Sequence, residues 1–188
     1  MNRYLNECLG TSERYNSELA NARIEGQYGR EEDINIPKRI ILSFDCSGSM
    51  GPEKFRQVMG EVENFLVANK YKHIEIICVY WGSDTPTIHR MKLNKGLTQK
   101  IIGSGQSSAH GGTEFCTCLN AIKTKYRKFD LMIVFTDGEI YDTPSDENKA
   151  FMRRISNRVI WVLTKGGNAE HITRHFDKNC KRRLIKAK

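Results

Sequence analysis

The sequence predicts an α/β protein in which a mostly parallel β-sheet carries helices on both faces. Three largely apolar stretches of strand length, residues 40–44, 131–135 and 159–163, are rich in β-branched and aromatic side chains. Such continuous apolar stretches are typical of parallel strands that are buried on both faces. Amphipathic stretches of helical length separate them along the chain, and this alternation favours a doubly wound sheet.

The size and composition of the chain allow one globular domain with a short arm. The 188 residues are 39% hydrophobic and 28% charged, which is ordinary for a folded globular protein. There is no run of about eighteen apolar residues, and Glu7, Glu13 and Arg14 interrupt any leader-like pattern near the start of the chain. We therefore expect a soluble, cytoplasmic protein that does not enter a membrane.

Residues 1–36 form the predicted arm, and residues 37–188 form the predicted domain. The arm has broken helical spacing of its apolar residues, followed by glycines and an acidic run at residues 31–33. It is predicted to be partly helical and to end in a linker. A helix docked on the domain and a free or partner-binding arm are both compatible with this pattern.

The first half of the predicted domain follows the order strand, helix, strand, edge strand. The strand at residues 40–45 ends in a carboxylate, and a helix is predicted from residues 51–53, because proline and an acidic residue favour the first turn of a helix. An apolar stripe across residues 55–66 predicts that this helix packs on the sheet. Residues 73–81 are the second predicted strand, and residues 88–93 are expected to return as an antiparallel edge strand.

The second half repeats the alternation and ends at the other edge of the sheet. Helical segments are predicted at residues 95–102, 114–127, 145–157 and 171–176. Strands are predicted at residues 131–136, 158–163 and 181–186, the last of them at an edge. Helices and strands are therefore predicted to alternate through the second half of the domain as well.

An oxygen-rich turn follows the first strand. Asp45 lies where this strand ends, and open α/β sheets place their ligands at the carboxyl ends of parallel strands. Ser47 and Ser49 alternate with Asp45, so that in a locally extended turn all three oxygens point the same way. Gly48 and Gly51 are expected to let the backbone bend tightly around a bound group. The turn predicts a site for a hard cation such as Mg²⁺, which needs about six oxygen ligands and more than this turn supplies.

Two later stretches supply further oxygens. Thr113 ends a glycine- and serine-rich loop, directly before the helix predicted at residues 114–127. Asp137 follows the strand predicted at residues 131–136 and repeats the design of a buried strand that ends in a carboxylate. If the two strands are neighbours, Asp45 and Asp137 converge on one site.

These three parts together resemble the metal-ion-dependent adhesion site of von Willebrand factor type A (VWA) domains. The resemblance is carried by Asp45-x-Ser47-x-Ser49, by a Gly-Gly-Thr sequence ending at Thr113, and by a Thr-Asp-Gly sequence around Asp137. It covers the whole predicted domain and implies a Rossmann-like topology with the metal at the carboxyl edge. The surrounding residues most resemble the VWA-like domains at the C-terminus of prokaryotic and viral proteins assigned as metallopeptidases. Such relatives have a longer N-terminal region than this chain, and we expect no peptidase activity.

The resemblance also implies how the metal is held and used. Ser47, Ser49 and Thr113 are implied ligands through neutral hydroxyl groups, whereas one or both of Asp45 and Asp137 act through water. A Mg²⁺ or Mn²⁺ ion held largely by neutral oxygens stays electrophilic, and an open position accepts a carboxylate. The implied function is a noncatalytic protein–protein interaction module that recruits an Asp or Glu of a partner, such as an AAA-type ATPase or a peptidase-like protein.

The distribution of charge leaves a second hypothesis open. The net charge is +8, and residues 95–188 carry 18 Lys/Arg against 9 Asp/Glu, whereas residues 1–94 carry 12 against 13. The basic C-terminal half is therefore a candidate surface for nucleic acid or for an acidic protein partner. Few aromatic residues accompany the basic ones, which disfavours stacking on single strands.

An enzyme is the least favoured hypothesis. A metal-dependent hydrolase lacks an evident general base here, because the predicted ligation is rich in hydroxyl groups. An accessory domain of a metallopeptidase is a further alternative. A serine nucleophile at Ser47 lacks its usual Gly-x-Ser-x-Gly elbow, because Asp45 and Ser49 take the glycine positions. The alternative to metal binding is a structural role, since Ser, Thr and Asp are ordinary cap and turn residues in any α/β protein.

The cysteines and histidines are not expected to bind metal. His171 and His175 have the spacing of a zinc-binding pair, but the glutamate of the His-Glu-x-x-His motif is missing, so surface or core histidines are favoured. Four cysteines fall in apolar patterns and are predicted to be free, buried thiols, namely Cys46, Cys78, Cys116 and Cys118.

Overall fold

The computed structural model describes residues 39–51, 53–56, 59, 74–92, 99–101, 103–104, 111–126, 128–180 and 184–186. The predicted arm and the loop before Gly111 lie outside the described residues. Of the helix predicted after the first strand, the described residues 53–56 and 59 are helical, as are residues 99–101 of the short helix predicted further on.

Six strands of the described residues form one sheet in the order β3-β2-β1-β4-β5-β6. Their bounds are β1 Arg39–Asp45, β2 Glu75–Trp81, β3 Thr87–Lys92, β4 Leu131–Thr136, β5 Val159–Leu163 and β6 Leu184–Lys186. Neighbouring strands are parallel, except that β2 and β3 are antiparallel. The predicted α/β class is confirmed: the sheet is Rossmann-like, mostly parallel, and has one antiparallel edge strand.

The registers bring the carboxyl ends of three central strands to one edge of the sheet. Asp45, the last residue of β1, lies opposite Trp81, the last residue of β2. On the other side Phe44 lies opposite Phe135, so Asp45 is level with Thr136, the last residue of β4. The loops after β1, β2 and β4 therefore start side by side, in the crevice where open α/β sheets bind their ligands.

One face of the sheet is built around an aromatic cluster. The ring of Phe44 stacks on Phe135 and Tyr80, with centroids 4.9 and 5.4 Å apart. Phe55, from the helical stretch after β1, packs on Phe44 at 5.2 Å, and Met59 from the same stretch is buried in this cluster. For these two positions the predicted packing of the helix on the sheet is confirmed.

The other face is covered by two helices and one helical turn. The helices are α1 Phe115–Lys125 and α2 Asp146–Ile155, and a single π-helical turn spans Ile172–Phe176. The buried side of α1 is the predicted apolar face, formed by Phe115, Cys118, Leu119 and Ile122. None of the helices in the described part of the chain combines the length and the apolar character that a membrane crossing requires.

Local side-chain chemistry sets the start of α2. The hydroxyl of Ser145 accepts a hydrogen bond from the amide of Asn148 at 3.3 Å, which caps the helix, and acidic residues occupy the first turn. A 3-10 turn, Ser156–Arg158, then leads directly into β5. The regular helix therefore ends earlier than the predicted residue 157.

The four cysteines predicted to be free thiols form no disulfide among the described residues, namely Cys46, Cys78, Cys116 and Cys118. Cys118 lies next to Ser43, the polar residue inside β1, whose hydroxyl accepts a hydrogen bond from the indole of Trp81 at 2.9 Å. Cys116 differs from the prediction because it is half-buried. It lies in the first turn of α1, where its amide donates to the carboxylate of Asp142 at 2.6 Å.

Candidate metal centre

Asp45 is fixed by hydrogen bonds to both of its carboxylate oxygens. It is fully buried at the end of β1. Its Oδ1 accepts from the amide of Ser47 at 2.9 Å, and its Oδ2 accepts from the hydroxyl of Thr136 at 2.6 Å. Because Thr136 belongs to β4, this second bond ties the ends of two neighbouring strands together. The carboxylate is thus held at the carboxyl edge of the sheet.

The two serines of the turn after β1 lie together. The hydroxyl oxygens of Ser47 and Ser49 are 3.1 Å apart, with Ser47 buried and Ser49 exposed. The amide of Met50 donates to the carbonyl of Ser47 at 3.0 Å and closes the turn, and the Met50 side chain is buried in the core. The buried side chain of Met50 therefore holds the turn on the core, while Ser49 faces solvent.

The turn after β1 contains two glycines, for which a role around a bound group is predicted. Gly48 and Gly51 both avoid positive φ, and a Cβ at either position would have open space around it. Neither the backbone conformation nor a close protein neighbour requires glycine here, so the expected role of these glycines around a bound group stays a prediction.

Asp137 lies one residue beyond β4 and is buried. Its Oδ1 accepts from the amide of Glu139 at 3.2 Å, and its Oδ2 lies 3.4 Å from the ammonium group of Lys54. Its backbone carbonyl accepts from the amide of Asn168 at 2.9 Å, so the loop after β5 supports it. Gly138 makes this contact possible, because it has a φ of 86° and a Cβ there would lie 1.8 Å from the carbonyl oxygen of Asn168.

Thr113 is placed beside this group through the backbone. The amide of Glu114 donates to the carbonyl of Gly82, directly after β2, at 3.1 Å. One residue earlier, the carbonyl of Trp81 accepts from the amide of Cys46 at 2.8 Å. Thr113 is buried, and its loop is therefore fixed next to the turn that follows β1. Side-chain contacts join Asp45 to Ser47 and Ser47 to Ser49, whereas Thr113 is positioned by its loop.

The electrostatics of the centre favour a cation. Burial raises the pKa of the Asp45 carboxyl from 3.8 to about 6. Hydrogen bonds from Thr136 and Ser47 oppose this increase, and the nearby carboxylate of Asp137 adds to it. Two carboxylates are thus held close together in a poorly solvated place. Lys54, whose side chain is 38% exposed, reaches in from the solvent side as a counter-charge.

The donors present fit a small, hard divalent cation. They are carboxylate and hydroxyl oxygens, the ligand atoms that Mg²⁺ and Mn²⁺ prefer. The ammonium group of Lys54 on Asp137 indicates that the centre attracts positive charge. Among the described residues no group of three or more His, Cys, Asp or Glu side chains is arranged to hold a metal ion, so a site here depends on the hydroxyl groups.

Comparison with solved structures shows similarity at the level of the fold. An aerotolerance-related membrane protein from Bacteroides fragilis, solved with multiple mutations to serines, matches with a TM-score of 0.54 at 13% identity, over 80% of this chain and 91% of that one. The VWA domain of SpRpn10 matches with a TM-score of 0.52 at 13% identity, over 80% and 88%. The manganese-loaded TRAP protein of Plasmodium vivax matches with a TM-score of 0.54 at 15% identity, over 81% and 68%.

The fold is VWA-like. No protein-family model matches the sequence, and no sequence match was found among curated proteins. At the identities of the structural matches, the similarity concerns the fold alone. The VWA-like fold therefore places the residues of the candidate centre, while their role as ligands remains a prediction.

Two residues of the centre were missed by the sequence analysis. Thr136 binds Asp45 across two strands, and Lys54 pairs with Asp137. Thr136 directly precedes Asp137 in the sequence, but its role depends on the register between β1 and β4. Lys54 lies on the helical stretch after β1 at the edge where the VWA-like fold gathers its loops, and nothing in the local sequence distinguishes it from a solvated lysine.

The histidine pair lies elsewhere in the fold. The rings of His171 and His175 are 4.4 Å apart, and Nε2 of His171 lies 3.2 Å from the carbonyl oxygen of Asp142. A zinc site was not expected here, and no third ligand of the described residues completes one.

Proposed function

We propose that this protein is a noncatalytic interaction module in which a divalent cation, Mg²⁺ or Mn²⁺, recruits an Asp or Glu side chain of a partner protein. One observation carries the proposal. The carboxylates of Asp45 and Asp137 and the hydroxyl pair of Ser47 and Ser49 meet at the carboxyl edge of the sheet, where burial and mutual repulsion of the carboxylates favour a bound cation.

The proposed direct ligands are the hydroxyl groups of Ser47, Ser49 and Thr113. Asp45 and Asp137 are proposed to contribute mainly charge, directly or through water, because each already accepts a hydrogen bond from a backbone amide. When bound, the cation supplies an electrophilic position for a further carboxylate. The manganese in the similar structure of the Plasmodium vivax TRAP protein supports a divalent ion.

The rim of the centre supports a protein partner. Tyr141 lies four residues after Asp137 and is 73% exposed, the largest exposure of a bulky hydrophobic side chain in the described ranges. Its hydroxyl lies 3.4 Å from the carboxylate of Glu139, which is also exposed. Exposed tyrosines are enriched among the residues that dominate protein interfaces. We propose that Tyr141 contacts the partner beside the recruited carboxylate.

The domain that carries this function is proposed to span residues 37–188, with residues 1–36 as an arm. Within the described residues, the sheet of the proposed domain runs from β1, which begins at Arg39, to β6, which ends at Lys186. The partner class we propose is a protein that presents an acidic residue, such as an AAA-type ATPase or a peptidase-like protein.

The experiment that tests the function is affinity capture of partners in Mg²⁺ and in EDTA, followed by reconstitution with the purified partner. Wild-type protein and Tyr141→Ala are compared with Ser49→Ala, and Thr124→Ala serves as the matched control, since its hydroxyl only bonds to Asn120 on the exposed side of α1. We expect the wild type and the control to retain a partner in Mg²⁺ and to lose it in EDTA.

The variants separate the two parts of the proposal. Ser49→Ala is expected to weaken both metal binding and partner binding. Tyr141→Ala is expected to weaken partner binding alone, by about tenfold or more if the tyrosine dominates the interface. Capture that is indifferent to EDTA and to Ser49→Ala would show that the centre does not recruit the partner.

A further inference from the structure

A cleft of about 610 Å³ opens on the face of the sheet that carries α2, away from the candidate metal centre. It lies between one side of α2, from Lys149 onwards, and the stretch from Arg174 to Asn179, which begins within the π-helical turn. Its lining consists of Lys149, Arg153, Ser156, Arg174, His175, Phe176, Asp177, Lys178 and Asn179. None of these residues belongs to the metal centre. Because α2 runs from the end of β4 back to the start of β5, Arg153 and Ser156 lie towards the amino ends of the strands.

The lining of the cleft is strongly basic. It contains four cationic side chains and one carboxylate, Asp177. That carboxylate already accepts from the indole of Trp161 at 3.2 Å and from the amide of Asn179 at 3.0 Å. These hydrogen bonds stabilise the negative charge of Asp177 within the protein. With four cationic side chains against one carboxylate, the cleft carries a net positive charge.

Two of the four cations are available to a ligand. Within the part of the chain that the structure describes, neither Arg153 nor Lys178 takes part in a salt bridge. The other two pair with exposed carboxylates of their own helical segments, Lys149 with Asp146 at 3.4 Å and Arg174 with Glu170 at 2.6 Å. Exposed pairs of this kind contribute little, so a multivalent anion competes with them easily.

The cleft also contains His175, whose pKa is affected by the positive charges around it. Desolvation lowers the pKa of His175, and the neighbouring His171, Arg174 and Lys149 lower it further. Positive charge close to an imidazole disfavours its protonated form and favours an incoming anion.

The volume of the cleft and the neutral residues in its wall indicate which class of anionic ligand fits. The volume lies in the range of small-molecule sites. Ser156 and Asn179 supply neutral hydrogen-bonding groups at the wall, while the ring of Phe176 is buried and offers no exposed face for a nucleobase. Single-stranded nucleic acid usually needs such exposed rings, so a compact ligand fits better than a strand.

We propose that this cleft binds a small ligand carrying a polyphosphate group. Arg153 and Arg174 present planar guanidinium groups that bind phosphate oxygens in pairs, and Lys149 and Lys178 add point charges. This inference is independent of the metal centre and of the proposed interaction function.

The test is calorimetric titration of sodium tripolyphosphate into the full chain at constant ionic strength, with EDTA present so that the metal centre does not contribute. We expect one binding site per chain. The double variant Arg153→Gln with Lys178→Gln should weaken binding by about tenfold or more, because charge-assisted hydrogen bonds are lost.

The matched control carries the same change in charge outside the cleft. It combines Arg154→Gln, whose guanidinium lies over the ring of Phe151, with Lys165→Gln in the exposed turn after β5. Its affinity should stay within about twofold of the wild type. Circular dichroism of both double variants checks that they fold.

Three results would overturn the proposal. The first is that tripolyphosphate binds the wild type no more tightly than sulfate does. The second is that both double variants lose affinity equally, which would indicate attraction by net charge alone. The third is that a short oligothymidylate binds through the cleft residues whereas tripolyphosphate does not, which would assign the cleft to nucleic acid.

Discussion

At the scale of single residues, Lys54 is the unexpected feature of the candidate centre. Its ammonium group lies 3.4 Å from Asp137, where it neutralises part of the charge that would attract a cation. A bound divalent ion and this ammonium group compete for the same carboxylate. We therefore infer that Lys54 tunes the metal affinity of the centre.

Replacement of Lys54 by methionine tests this competition. The pair is exposed at Lys54 and buried at Asp137; if it contributes about 1 kcal/mol, Lys54→Met should raise the affinity for Mg²⁺ by about fivefold in calorimetric titration. Arg56→Met is the control, since it removes a positive charge from an exposed position two residues further along the same helical stretch. An unchanged or reduced affinity in Lys54→Met would show that the lysine supports Asp137 instead of competing for it.

Asp45 makes the stability of the metal-free protein depend on pH. Its pKa is raised to about 6 in the fold from 3.8, so the folded state holds a proton more tightly than the unfolded state. Stability from this group is complete below about pH 4 and is lost as the pH rises to about 6, by on the order of 3 kcal/mol.

The difference between the wild type and Asp45→Asn isolates this effect. In EDTA, urea unfolding should show the wild type losing free energy of unfolding relative to the variant between pH 4 and 7. Addition of Mg²⁺ at pH 7 should then stabilise the wild type more than the variant. A difference that stays constant across this pH range would contradict the assignment of the raised pKa.

At the scale of elements, the strand ends and their loops build the centre. The sequence was sufficient to predict β1, which ends in Asp45, and β4, which is followed by Asp137, because long apolar stretches determine buried strands. It was not sufficient for the bond from Thr136 to Asp45, because these residues are 91 positions apart and meet only through the register of the two strands. Nor did it predict the hydrogen bond from the amide of Asn168 to the carbonyl of Asp137, which joins the loop after β5 to the loop after β4.

The contact between those two loops depends on Gly138. Alanine at this position would meet the carbonyl oxygen of Asn168 and would also be strained at positive φ. Gly166→Ala is the matched control, because Gly166 has nearly the same φ, 84°, but open space around it. We expect the control to lose about 1–3 kcal/mol from backbone strain alone.

Gly138→Ala should lose clearly more stability than Gly166→Ala in urea unfolding. It should also weaken binding of Mg²⁺, because the loop after β4 must move and Asp137 moves with it. Equal losses in the two variants, with metal binding retained, would mean that the contact with Asn168 does not position Asp137.

At the scale of the whole molecule, the VWA-like fold separates two charged regions. The candidate centre, with its buried carboxylates, lies at the carboxyl edge of the sheet, and the basic cleft lies between α2 and the stretch that includes the π-helical turn. The uneven distribution of charged residues indicated a basic C-terminal half, but only the three-dimensional arrangement shows that four cations of two separate segments share one cleft. Composition alone predicts attraction to anions and not where they bind.

The proposed function depends on a divalent cation that binds at the carboxyl edge of the sheet. Paramagnetic broadening by Mn²⁺ in a ¹H–¹⁵N spectrum tests it most directly, because broadening locates the ion even where binding is weak. We predict that substoichiometric Mn²⁺ broadens the amides of Ser47, Thr113 and Gly138 first, that EDTA reverses the effect, and that Asp137→Asn abolishes it. Broadening confined to exposed acidic residues such as Asp146 and Glu147, with the edge unaffected, would contradict the account.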